Sequence, residues 1–124
     1  WKKFAFICAQ SGMTAATRKP LGDIRAAADS WAMYRRVIEE VVAVASAEGA
    51  ALPADTVDEW VEFAADLDDG VTSSLYYDLT HDKRLELDAL NASVVRHAER
   101  EDVDVPMNEA ITAVLRPWAD DRAT

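Results

Sequence analysis

The stretch Ser30–Glu48 constrains the fold more than any other part of this chain. Met33, Val37, Val41, Val44 and Ala45 recur at steps of three and four, and Ile38 and Val42 widen the stripe. Gly49 follows as a natural stop. A helix of that length runs about 28 Å, and its apolar face needs partners along the whole way. Those partners must come from the rest of a short chain.

They read as further helices. Residues 1–17 carry Phe4, Cys8 and Ser11 on one face, with Ala5, Ala9 and Met13 beside it. Pro20 and Gly22 interrupt this pattern, and Asp23 is placed to cap a short turn over Ile24–Ala27. Asp55 is expected to cap a helix reaching about Leu67, with Trp60, Phe63 and Ala64 inward. Asp66–Gly70 reads as a turn. Thr72 or Ser73 then caps a helix holding Leu75, Tyr76 and Leu79. Another helix is predicted from Leu85 to Arg100, with Leu87, Leu90, Val94 and Val95 as its apolar positions. Asp102–Pro106 is a linker, because a residue preceding proline resists helix. A last helix runs from Asn108 to Trp118. No segment alternates with period two and nothing repeats internally. The class is all-α, a compact bundle of about six or seven helices.

Composition agrees. The 124 residues suit one domain, half of them are hydrophobic, and four Gly and four Pro are too few for a many-turned β fold. The net charge of −10 opposes binding to nucleic acid or to an anionic membrane surface. No apolar run is long enough to cross a bilayer. The opening WKKFAFICAQSGMTAA is basic then apolar, like a signal peptide. Its helical spacing and the missing initiator Met favour instead the first helix of a larger protein's domain. Cys8 is the only cysteine, which excludes an internal disulfide and fits a reducing, cytoplasmic setting. His81 and His97 lack ligand-type spacing, so no metal site is expected. Neither a G-x-G-x-x-G turn, a Walker loop nor a G-x-S-x-G elbow is present.

Two segments stand out together. One is Trp1-Lys2-Lys3-Phe4-Ala5-Phe6-Ile7-Cys8, followed by Met13-Thr14-Ala15 and the loop with Gly22. The other is Thr72-Ser73-Ser74-Leu75-Tyr76-Tyr77-Asp78-Leu79, continuing through Arg84-Leu85-Glu86-Leu87-Asp88-Ala89-Leu90-Asn91. The stretches EEVVAVASAEGAALP and DVDVPMNEAI lie before and after the second. In this order they resemble the C-terminal domain of ketopantoate reductases (2-dehydropantoate 2-reductases), over nearly the whole chain. That family opens the domain with W-x-K-hydrophobic and later carries T-S-S-M-x-x-D and R-x-T-E-I-D-x-L/I-N-G.

The resemblance implies a helical substrate-binding domain like that of 6-phosphogluconate dehydrogenase-type reductases, spanning residues 1–124. It further implies NADP, bound mainly by an N-terminal Rossmann domain absent from this chain, and a small 2-oxo acid as substrate. A homodimer is compatible. Lys3 falls on the family's catalytic lysine, Glu86 on its active-site glutamate, and Ser74 on a substrate-binding serine. The family's asparagines four and eight residues after the lysine are here Ile7 and Ser11, and Ser11 is the substrate contact left at the second. A third asparagine, just before the loop glycine, is here Leu21. By itself the fragment is expected to be inactive.

The chemistry is reasonable in its own right. A ketone under reduction builds negative charge on oxygen, which a lysine ammonium can stabilise and protonate. A carboxylate such as Glu86 can orient that ammonium or accept a substrate hydroxyl. Positions 3, 7 and 11 share one helical stripe. Simpler readings stand beside these. Lys3 suits a solvated surface, Glu86 an acid favourable to a helix N-terminus, and Ser74 a first-turn hydroxyl, while Ile7 and Leu21 suit a core. A non-catalytic helical interaction or dimerisation module on the same fold is the alternative function.

Overall fold

The computed structural model describes the backbone of residues 1–121 and the side chains of residues 1–119. Seven α-helices and one 3-10 turn make up the described residues. They are α1 (Lys2–Thr17), α2 (Leu21–Ala26), α3 (Ala28–Ala47), α4 (Thr56–Ala65), α5 (Ser74–Thr80), the turn Leu87–Ala89, α6 (Asn91–Glu101) and α7 (Pro106–Asp121). The all-α class and the helix number match the sequence expectation.

Helix α1 is the centre of the bundle. Every residue from Cys8 to Ala15 is buried, polar ones included. Small side chains on all sides let α2, α3, α5 and α7 approach it closely. Helix α3 supplies the opposing stripe, with Val37, Ile38, Val41, Val44 and Ala45 fully buried, and Tyr34 with them. Gly49 follows α3 at φ +92°, a conformation that glycine adopts without steric cost.

Two helix ends are fixed from a distance. Arg25 of α2 donates to the carbonyls of Ala64, Ala65 and Leu67, capping the C-terminus of α4 with a cation. Glu40 of α3 accepts from the backbone amides of Met107 and Asn108, capping the N-terminus of α7 with an anion. Pro106 occupies the first position of α7, where its missing N–H costs nothing.

The structure corrects five local expectations. Asp23 does not cap α2; the helix starts at Leu21 behind Pro20, with Asp23 in its first turn. Asp55 precedes α4 without a side-chain capping bond, and α4 stops at Ala65, where Arg25 takes its last carbonyls. Phe63 is 48% exposed rather than inward, meeting the rings of Phe6 and Trp60 edge-on. The helix expected over Leu85–Arg100 is broken. Leu90, at φ −115° and ψ −116°, separates the 3-10 turn from α6, because the buried Asn91 is drawn onto α1 and α7. The last helix begins two residues earlier than Asn108 and passes Trp118, carrying Pro117 inside it.

Candidate active site

The stripe Lys3, Ile7 and Ser11 runs from water into the protein along α1. Lys3 is exposed in the first turn, Ile7 is half-buried and Ser11 is buried. At 1.5 Å per residue the stripe is about 12 Å long. Lys2 forms an ion pair with Glu59 at 3.0 Å. Lys3 forms none with any described residue, so its ammonium remains available.

Helix α4 builds a wall next to Lys3. The Trp60 indole donates to the Lys2 carbonyl at 2.8 Å and stacks on Phe6 with ring centroids 4.9 Å apart. Phe63 meets both rings edge-on. Lys2, Lys3, Glu59, Trp60 and Phe63 line a groove of about 380 Å³. Glu86, Ser74 and Ser11 do not line it.

The loop before α5 rests on the turn of α1 that holds Ser11. Gln10 donates to the Thr72 carbonyl at 2.9 Å while accepting from the buried Tyr34 hydroxyl at 2.8 Å. Burial raises the Tyr34 phenol well above its ordinary range. Thr14 exchanges a 2.7 Å hydrogen bond with Ser73, which also caps α5 by accepting from the Tyr76 amide. Ser74 follows at the first position of α5 with its side chain exposed. One contact thus fixes both the Ser11 turn and the Ser74 backbone.

Glu86 sits on the segment before the 3-10 turn. Leu85 and Leu87 are buried on either side of it, which leaves Glu86 in water. Asp88, by contrast, is held by Arg116 at 3.1 Å and Arg96 at 3.8 Å. Asn91 moors the segment by donating to the Cys8 carbonyl at 3.3 Å and to Asn108 at 2.9 Å. Lys3 and Glu86 form no ion pair with each other.

Sequence reading missed the residues that hold this arrangement. Gln10 and Thr14 lie at i and i+4 on α1, a polar pair inside an apolar helix, and that was a usable signal. The groove wall of Trp60 and Phe63 had none, because it depends on how α4 meets α1. Leu21 is wholly buried, and its amide donates to the Val71 carbonyl. No group of three or more potential metal ligands gathers among the described residues. No helix among them is long and apolar enough to cross a membrane.

Comparison with known proteins gives this geometry a family. The model of the ketopantoate reductase PanE/ApbA C-terminal family matches residues 1–119. The 2-dehydropantoate 2-reductase of Caulobacter vibrioides is 34% identical over 119 residues, which cover 96% of this chain and 40% of that protein. A PanE/ApbA family ketopantoate reductase from Ralstonia eutropha superposes with a TM-score of 0.88 at 34% identity, over 100% of this chain and 41% of the other. The dimeric ketopantoate reductase of Staphylococcus aureus gives a TM-score of 0.92 at 24% identity, over 98% of this chain and 43% of the other. That last likeness is one of fold. This chain therefore spans about two fifths of the length of its relatives. With the helical fold and the family model agreeing from the first residue to the last helix, the chain belongs to the ketopantoate reductase C-terminal domain family.

Proposed function

We propose that this chain is the substrate-side half of an NADP-dependent 2-oxo acid reductase, with Lys3 as the proton donor. The observation that carries the reading is Lys3 itself. By resemblance it falls on the family's lysine; in the structure it is exposed, forms no ion pair with a described residue, and lines a groove. Its neighbour Lys2 is already engaged by Glu59.

The described residues do not fit a dinucleotide. They are helices joined by short loops, with no strand leading into a glycine-rich turn. NADP is then bound mainly by a nucleotide-binding domain elsewhere in the full protein. What these residues offer is the oxygen end of the reaction. As a ketone is reduced, Lys3 stabilises the charge developing on oxygen and delivers the proton. Glu86 orients the Lys3 ammonium or accepts a substrate hydroxyl once the full site assembles. Ser74 hydrogen-bonds the substrate from the first turn of α5. Ser11 is shorter than the family's asparagine, so its contact with substrate is indirect, through water. Dimerisation and a cytoplasmic setting are the companion proposals, the first suggested by the dimeric relative.

The test is NADPH oxidation by the full-length protein against a panel of 2-oxo acids. Turnover is expected with at least one of them, and Lys3→Ala should lower kcat by about 10²–10⁴-fold. These 124 residues alone should neither turn over nor bind NADPH at micromolar concentration. A full-length protein that is inert toward the whole panel would refute the reading and leave the helical interaction module.

A further inference from the structure

The aromatic wall beside Lys3 has no role in proton delivery. Trp60 is held rigidly, stacked on Phe6 and hydrogen-bonded to the Lys2 carbonyl. Phe63 extends the same wall and is 48% exposed. An exposed phenylalanine beside a preformed indole wall is an apolar surface awaiting an occupant.

We propose that this groove is the specificity pocket of the enzyme, and that it takes the apolar side chain of an aromatic or branched 2-oxo acid. The inference rests on the reading of Lys3 as proton donor. Charge complementarity selects the occupant. Among the groove's charged residues, Lys2 and Glu59 neutralise each other at 3.0 Å, which leaves Lys3 as the uncompensated charge. A cation beside an apolar trough fits a small anion with an apolar tail. It does not fit the core of a protein–protein contact, from which charged residues are depleted. Size agrees, since about 380 Å³ holds a phenyl or isobutyl group with room for the oxo acid at the mouth. Lys3, Trp60 and Phe63 line the same groove, so a carbonyl held at Lys3 leaves the aromatic wall within the groove for the side chain.

The test uses full-length protein with phenylpyruvate and pyruvate as substrates. The wild type should favour phenylpyruvate in kcat/KM by tenfold or more, in line with the roughly 10–200-fold that apolar pocket contacts confer. Phe63→Ala should erase most of that ratio by raising KM for phenylpyruvate far more than KM for pyruvate. Phe63→Leu should restore part of it. Phe63 is half-exposed, so these variants should fold. Binding of phenylpyruvate to the protein, followed by calorimetry, gives a readout independent of turnover. A protein that binds phenylpyruvate through Phe63 but reduces nothing would keep the pocket and overturn the reductase. One that reduces 2-oxo acids with no preference, or with a ratio untouched by Phe63→Ala, would overturn the pocket and keep the reductase. If Phe63→Ala instead split a dimer in sedimentation while leaving the ratio intact, the occupant would be a second copy and the proposal would fall.

Discussion

The side-chain amide of Asn91 lies against Gly12: a Cβ added to that glycine would stand 2.8 Å from Asn91 Oδ1 and 3.1 Å from Ile111 Cγ2. The amide cannot retreat easily, because its Nδ2 is held by the Cys8 carbonyl and by Asn108. Asn108 is itself tied to Glu40 at 2.8 Å. Asn91 Oδ1 is buried with no partner. Gly12→Ala is therefore expected to destabilise the domain by about 1–3 kcal/mol, the usual cost of overpacking. Asn91→Ala should cost about as much by stranding buried acceptors. The double variant should be clearly less destabilised than the sum, since removing the amide makes room for the new methyl. Denaturant midpoints of the three variants check this, and simple additivity would refute it.

Ser73 does two jobs with one hydroxyl. It caps α5 and meets Thr14 at 2.7 Å. Ser73→Ala should lower stability by about 1–2 kcal/mol. Because the backbone that carries Ser74 rests on this contact, KM of the full-length enzyme should rise more than kcat falls. An unchanged KM would separate the cap from the substrate site.

Burial lifts the Cys8 thiol from 9.0 to about 12 and moves the Tyr34 phenol upward as well. Both are acids whose folded form resists ionisation. The unfolded chain loses these protons first, so the folded state is fully favoured below about pH 9 and weakens as pH rises toward 12. Each group contributes at most about 1.4 kcal/mol per pH unit in that window. Cys8→Ala should flatten part of the alkaline decline in melting temperature. In native protein the thiol should resist a thiol reagent until the chain unfolds.

Position 7 tests substrate polarity separately from the groove. Ile7 can neither donate nor accept a hydrogen bond, and an unpaired buried polar group costs roughly 1–3 kcal/mol. Wild type should therefore handle ketopantoate poorly beside 2-oxo acids with apolar side chains. Ile7→Asn should move kcat/KM toward ketopantoate by about tenfold or more. Ketopantoate as the best wild-type substrate would refute this.

The residue order alone determined the helices whose signals are local. The stripe from Val37 to Ala45, the Gly49 stop and a cap of α5 at Thr72 or Ser73 act within a few positions, so periodicity and capping chemistry reveal them. The motifs around Lys3 and Glu86 likewise carried the family. Tertiary structure decided what depends on residues far apart in sequence. Asn91 breaks the predicted helix because Cys8, 83 positions away, offers a carbonyl. Glu40 caps α7 across 67 positions, and Arg25 ends α4 across 39. Phe63 is left facing water because nothing described lies over it, although its place beside Trp60 on α4 pointed inward. A chain's local pattern fixes which face of a helix is apolar. Which neighbour covers that face, and which polar atom is left to satisfy, is settled only when the helices meet.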